Sequence, residues 1–181
     1  VWVVLRNKYE IIKMPSINQK VILKTWPHQK GKIDFDREYA IYDENNNLLI
    51  KGLSKWILMN YKTRRISMFN NIKYPFECLE ETNFENKFNK IKDFDINNFS
   101  FIETTTSEND LDINGHVNNA SYARIVLNNI DFDITINHFE INYIKEIKAN
   151  QKLKIYFLKK DNTYYIKAFN NEEVIFVLIV Y

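Results

Sequence analysis

"KYEIIKMPSINQKVILKTW" (Lys8–Trp26) lies over "EINYIKEIKANQKLKIYFL" (Glu140–Leu158) with the tripeptide Asn-Gln-Lys in register, at Asn18 and again at Asn150. Each copy reads as a long strand, a polar turn and a second strand. Two further strands follow each copy. Ahead of the second copy stand one more strand, "SFIETTTSEND" (Ser100–Asp110), and a stretch with helical period. Ahead of the first copy stands nothing, because the sequence opens on Val1 inside an apolar run. A duplicated unit of strand, helix and four-strand meander accounts for this, with the first unit lacking its head. The competing account is that a chain rich in Lys, Asn and Ile produces two similar hairpins by composition.

Working outward, "IDFDREYAIYDE" alternates, with Ile33, Phe35, Tyr39 and Ile41 mostly on one parity and so expected inward. "DENNNL" supplies turn residues that tolerate left-handed backbone, and "LLIKGLSKWILMN" returns as a strand. Between residues 63 and 98 the periodicity fails, leaving a polar, Asn-rich connection with one short helix conceivable after Pro75. Beyond it Val117, Ala120, Ala123, Val126, Leu127 and Ile130 form a helical stripe. Ala120 and Ala123 are small enough for close contact with a sheet. The expected class is α+β, a tandem (double) hot-dog fold in which each half wraps an antiparallel sheet around a helix. The halves are residues 1–62 and 99–181, joined by 63–98, with the first half N-terminally truncated.

The 45 % hydrophobic and 15 % aromatic content suffices for a packed core. A net charge of +2 is too weak a footprint for nucleic acid. Cys78 is the sole cysteine, so no internal disulfide forms, and a reducing compartment is the simple reading. No apolar run reaches the roughly 20 residues of a membrane span. No cofactor or metal is expected.

The chemistry concentrates in "NDLDINGHVNNASY" (Asn109–Tyr122). Asp112, Asn114 and His116 occupy alternate positions, which share a face on an extended segment but not on a helix. We expect them on an extended lead-in, with Leu111, Ile113 and Val117 inward and Gly115 freeing the turn into the helix. The polar groups then meet at a helix N-terminus, where a developing oxyanion is stabilised. Two rival readings stay open. Asp110, Asp112, Asn114 and Gly115 match the opening of an EF-hand calcium loop, although its twelfth position is Ser121 rather than Glu. Alternatively Asp112 or Asn114 merely caps the helix, and His116 is a surface residue.

"LDINGHVNNASY" resembles the D-x-N-x-H-V-N-N-x-x-Y signature of acyl-acyl-carrier-protein thioesterases of plant plastids and bacteria. "SKWILMNYKTRR" (Ser54–Arg65), "REYAIYD" (Arg37–Asp43) and "TWP" (Thr25–Pro27) are similar to further landmarks of that family, in its order and across nearly the whole chain. The resemblance implies a tandem hot-dog fold whose first half shapes an acyl pocket and whose second half is catalytic. Carried over position by position, it implies catalytic roles for Asp112, Asn114, His116 and Glu146. Ile147 stands where the plant enzymes have Cys, which implies hydrolysis by activated water with no cysteine nucleophile. Glu146, entering an apolar cleft, would take the proton from water, with Asn114 and His116 holding water and carbonyl and Asp112 orienting them. Asn118, Asn119 and Tyr122 would serve as cap, support and packing. Trp26 is read as core, Trp56 as core or pocket lining, and Arg64 and Arg65 as a solvated turn.

The implied partner is acyl-carrier protein bearing a fatty acyl thioester, in a bacterial cytoplasm or an organelle stroma, with no nucleic acid and no membrane. A homodimer is allowed, since hot-dog units pair. Acyl-CoA hydrolysis on the same fold and non-catalytic acyl binding are the alternatives.

Overall fold

The computed structural model describes residues 1–67, 77–85, 87–88, 91 and 94–181. It forms two compact units, Val1–Asn89 and Lys90–Tyr181. Unit 1 holds four antiparallel strands: β1 (Trp2–Ile11), β2 (Ile22–Pro27), β3 (Asp34–Tyr42) and β4 (Leu48–Leu58), in the spatial order β2-β3-β4-β1. Unit 2 holds β5 (Ser100–Thr105), a 3-10 turn at Glu108–Asp110, helix α1 (Asn119–Asn129), and strands β6 (His138–Tyr143), β7 (Lys152–Lys160), β8 (Thr163–Asn170) and β9 (Glu173–Val180). Its four last strands run β6-β9-β8-β7, and β5 adds to the outer edge of β7. Read by element, this is the unit 1 order with one extra strand.

The repeat holds down to single bonds. Asn18 and Asn150 both take left-handed backbone, at φ 64° and 60°. The Gln that follows each reaches back to a backbone N–H three residues earlier. Ser16 N–H donates to Gln19 Oε1 at 2.9 Å, and Lys148 N–H donates to Gln151 Oε1 at 3.0 Å. Composition cannot produce matched turn geometry, so the chance account falls. Among the described residues unit 1 has no counterpart of β5 or α1. The short helix considered after Pro75 begins outside the described residues, and residues 77–85 contain none.

Asn46, Asp161 and Asn171 also take positive φ, at 62°, 55° and 54°. These sit in the β3–β4, β7–β8 and β8–β9 turns. Asn and Asp enter the left-handed region at lower cost than other non-glycine residues, because their short polar side chains bond locally. A sheet-rich chain with 3 glycines therefore still turns tightly.

Two expectations about faces are corrected. On β3 the buried residues are Asp36, Glu38 and Ala40, which share one face, and Phe35 on the other, while Ile33, just before the strand, is 45 % exposed. The unexpected partners are charged: Lys55 meets Asp36 at 2.8 Å, and Glu38 collects donors from residues 82–83 laid against it. On α1 the buried residues are Ser121, Tyr122, Ile125 and Val126. Ala120 and Leu127 face solvent, so the stripe is rotated from the expected one. Tyr122 was the missing anchor, because its ring packs on Tyr143 and Phe176 at centroid distances of 5.7 and 5.4 Å. The unit 2 core behind it is aliphatic, with Ile141, Leu153, Ile155, Ile166 and Leu178 at most 1 % exposed. Among the described residues no helix is long and apolar enough to cross a membrane.

Candidate active site

Asp112 to His116 form a closed turn, not the extended lead-in expected, and Leu111 pairs with Val117 across its neck. Ile113 projects fully into solvent rather than inward. Asp112 builds this turn. Its Oδ1 accepts the N–H groups of Asn114 at 2.8 Å and His116 at 3.1 Å, and its Oδ2 accepts from Asn114 Nδ2 at 3.2 Å. Asp112 N–H donates to the His116 carbonyl at 2.7 Å, and Gly115 N–H donates to the Asp112 carbonyl at 3.1 Å.

The β3–β4 hairpin tip is the same object. Asp43 Oδ1 accepts from Asn45 N–H at 2.9 Å and from Asn47 N–H at 2.8 Å, and Asp43 Oδ2 accepts from Asn47 Nδ2 at 2.9 Å. Its fourth residue, Asn46, has positive φ as Gly115 does at 76°. "DENNN" and "DINGH" are thus one five-residue turn used twice, with His116 in place of an ordinary Asn. That comparison was available in the sequence and explains the alternate spacing. Asp, Asn and His alternate because an aspartate at the first position takes N–H groups two and four residues on.

Both rival readings lose their footing. The helix cap is Asn118, whose side chain accepts Ala120 N–H at 3.0 Å, as the sequence suggested for that residue. Calcium is disfavoured because Asp110 is turned to Ser107 N–H and Oγ at 2.7 and 2.8 Å and pairs with Arg124 at 2.7 Å. A carboxylate committed to a guanidinium is a poor cation ligand. Among the described residues no three His, Cys, Asp or Glu groups converge on a metal position.

Three substitutions test the turn. A Cβ at Gly115 would meet nothing within 4 Å, so only its left-handed backbone resists substitution. Gly115→Ala should cost about 1–2 kcal/mol, read as a fall of several degrees in thermal midpoint. The Asp112 carboxyl, despite a desolvation effect that raises it, is held below its ordinary 3.8 by hydrogen bonds from His116 N–H and the Asn114 side chain. A depressed carboxyl stabilises the fold above its ordinary value, and that contribution disappears as pH falls through the folded-state value. Asp112→Ala should therefore be less stable than wild type at pH 7, and the difference should narrow as pH falls below the carboxyl's ordinary 3.8, as measured by urea unfolding. Asp112→Asn, which keeps an acceptor for both N–H groups, should retain activity within about ten-fold.

Glu146 lies past the end of β6, not on a strand, and its side chain is 38 % exposed rather than sunk in an apolar cleft. The backbone around it is nonetheless pinned. Ile144 and Lys145 N–H both donate to the Ile175 carbonyl at 2.9 and 3.1 Å, and Val117 N–H donates to the Ile147 carbonyl at 2.8 Å. Thr106 Oγ1 donates to the Lys148 carbonyl at 2.7 Å. This brings Glu146 Oε2 to 3.7 Å from His116 Nε2, beyond direct hydrogen-bond range but within ion-pair range. The Asn114 amide bonds to the Asp112 carboxylate, which also takes the His116 backbone N–H. One of its two amide hydrogens is taken there, and the second is available to a ligand.

Trp26 is buried, as expected for core, and its indole N–H donates to the Glu81 carbonyl at 2.9 Å. Trp56 is half-buried and donates to Ser54 Oγ at 2.6 Å. Arg64 and Arg65 are exposed, with Arg64 at positive φ in a turn closed by the Met59–Ile66 pair.

Residues 1–72 match the model of the acyl-ACP thioesterase N-terminal domain, and residues 93–173 match that of the acyl-ACP thioesterase C-terminal domain. A chloroplastic acyl-[acyl-carrier-protein] hydrolase of Cuphea viscosissima is 30 % identical over 146 residues, covering 74 % of this chain and 34 % of its own length. A chloroplastic oleoyl-acyl carrier protein thioesterase of Arabidopsis thaliana is 30 % identical over 151 residues, covering 76 % and 41 %. The chain thus spans about a third to two fifths of these relatives. An acyl-ACP thioesterase of Bacteroides thetaiotaomicron superposes with TM-score 0.86 at 24 % identity, over 99 % of this chain and 75 % of that one. The 12:0-ACP thioesterase of Umbellularia californica does so with TM-score 0.86 at 20 % identity, over 99 % and 74 %. These likenesses bear out the hot-dog architecture. With both domain models matched in order along one polypeptide, the chain belongs to the acyl-ACP thioesterase family.

Proposed function

We propose that this chain carries the hydrolytic site of an enzyme that cleaves fatty acyl-acyl-carrier-protein to free fatty acid and carrier thiol. The observation that carries the reading is the approach of Glu146 to His116, 3.7 Å apart on a pinned backbone. Glu146 takes a proton from water, and the resulting hydroxide attacks the thioester carbonyl carbon. The free amide hydrogen of Asn114 donates to the carbonyl oxygen as it becomes an oxyanion. Collapse breaks the carbon–sulfur bond, and the proton held by Glu146 passes to the leaving thiolate. His116 orients the water between them. Asp112 supports Asn114 and His116 through the turn and touches neither reacting atom. Ile147 in place of a cysteine leaves water as the nucleophile. The partner is acyl-carrier protein, in a bacterial cytoplasm or a plastid stroma.

Mass spectrometry of acids released from a panel of acyl-carrier-protein thioesters tests this directly. Free acid from the carrier-bound chain, faster than from the matching acyl-CoA, is the expected result. Tight binding with no acid formed would leave an acyl-binding module instead.

A further inference from the structure

We propose that Arg124 is a positioning residue for the reaction proposed above: from helix α1 it holds Asp110, at the base of the Asp112–His116 turn, and so sets the direction in which Asn114 and His116 face. The inference rests on that functional reading but has its own structural test. The turn is a short two-legged hairpin bonded mainly to itself. Asp112 N–H donates to the His116 carbonyl at 2.7 Å, Leu111 pairs with Val117, and Asn118 N–H donates to the Asp110 carbonyl at 2.8 Å. These bonds fix the hairpin's shape. Its angle to α1 needs more, because only the outgoing leg runs into the helix, through Val117 and the cap Asn118. The bond from Val117 N–H to the Ile147 carbonyl, at 2.8 Å, holds that same leg. A tie on the incoming leg is required to remove the remaining rotation.

Asp110 and Arg124 supply it. The Asp110 side chain is 7 % exposed, and its two oxygens are divided. Oδ2 accepts Ser107 N–H and Oγ at 2.7 and 2.8 Å, closing the 3-10 turn behind the leg. Oδ1 accepts Arg124 Nη2 at 2.7 Å. Arg124 stands in the second turn of α1, and the same nitrogen lies 3.3 Å from both the Asn109 carbonyl and the Ser121 hydroxyl. One guanidinium therefore joins the incoming leg, at Asn109 and Asp110, to the body of the helix. A hydrogen bond between opposite charges is about twice as strong as a neutral one. Arg124 itself is 51 % exposed, so its removal empties no core position and acts on the hairpin's direction alone.

The test is steady-state kinetics of Arg124→Ala in the full chain, with the His116 ring resonances read by NMR. The thermal midpoint should stay within a few degrees of wild type, since a half-exposed ion pair adds little stability. The kcat should fall about 10- to 100-fold, the scale of a small misplacement of reacting groups, with KM little changed, and the His116 resonances should shift. Arg124→Lys should lose less, because the contact to Asp110 is made through a single nitrogen that an ammonium can replace. Asp43→Ala is the control. It opens the matching turn in unit 1, which bears none of the proposed catalytic residues, and should lose stability while keeping kcat. Wild-type kcat in Arg124→Ala, unshifted His116 resonances, equal losses in the Ala and Lys variants, or a loss no larger than that of Asp43→Ala overturns the proposal. Should Arg124→Ala not fold, Arg124→Lys must still show a lowered kcat at unchanged KM. If wild type cleaves no acyl thioester, the functional reading fails separately. The tie then stands or falls on whether the His116 resonances respond to Arg124→Ala.

Discussion

Glu146→Gln should lower kcat on acyl-carrier-protein thioesters by about 10²–10⁴-fold, the usual worth of a positioned general base. Gln matches Glu in volume and can still meet His116, so what it removes is the capacity to accept a proton from water. KM should change little, because the carboxylate is not asked to bind the acyl chain. Stability should change little as well. A side chain 38 % exposed, facing an imidazole 34 % exposed, contributes at most about 1 kcal/mol, so the thermal midpoint should stay within a few degrees. Loss of turnover without loss of fold separates a catalytic carboxylate from a structural one. A variant with a third of wild-type kcat would remove Glu146 from the mechanism and leave His116 without a base.

How far the sequence carries is best seen residue by residue. Among the described residues, all nine strands and the α-helix were legible, because β-branched runs bounded by Asn and Asp clusters leave few choices, and the Asn18/Asn150 anchor recurs in both halves. Faces were less legible. The even face of β3 carries Asp36 and Glu38, which an apolar-inward rule assigns to solvent; their partners, Lys55 among them and Thr82 and Asn83 far along the chain, are visible only in three dimensions. On α1, Ala120 is compatible with a core face but did not require one, while Tyr122 brought far more area to bury. In the site, residue identities came from the motif, but roles needed bonds. Asp112, placed in the catalytic set by the resemblance, is also the first residue of an Asx turn that the chain builds again at Asp43, which no motif shows. Tyr122 was read as packing, and its ring does pack, on Tyr143 and Phe176.

The second large effect belongs to unit 1. Glu38→Ala should cost about 3–5 kcal/mol, the usual result of removing one partner from a buried charged cluster. For a chain of this length that corresponds to a fall of roughly 10 °C or more in thermal midpoint. Glu38 is 0 % exposed and accepts four donors: Thr82 Oγ1 at 2.6 Å, Asn83 N–H and Nδ2 at 3.3 Å each, and His28 Nε2 at 3.3 Å. Three of those donors, all but His28, belong to a strap, residues 79–84, also held by the Trp26 indole on the Glu81 carbonyl, by Leu79 N–H on the Pro27 carbonyl and by Lys51 on the Asn83 carbonyl. Phe84 at its end is 4 % exposed beneath the ammonium groups of Lys8 and Lys51, each 4.9 Å from the ring. Deleting the carboxylate leaves the buried His28 and the part-buried Thr82 and Asn83 donors without their acceptor at once, and each group left dry and unpaired costs about 1–3 kcal/mol unless the strap lifts to let water in. Lifting has its own signature, faster limited proteolysis within 79–84 in Glu38→Ala than in wild type. Glu38→Gln keeps one acceptor oxygen and should fall between the two. An alanine variant as stable as wild type, with the strap equally resistant, would mean that the apolar contacts of Trp26 and Phe84 hold this segment down without the charge.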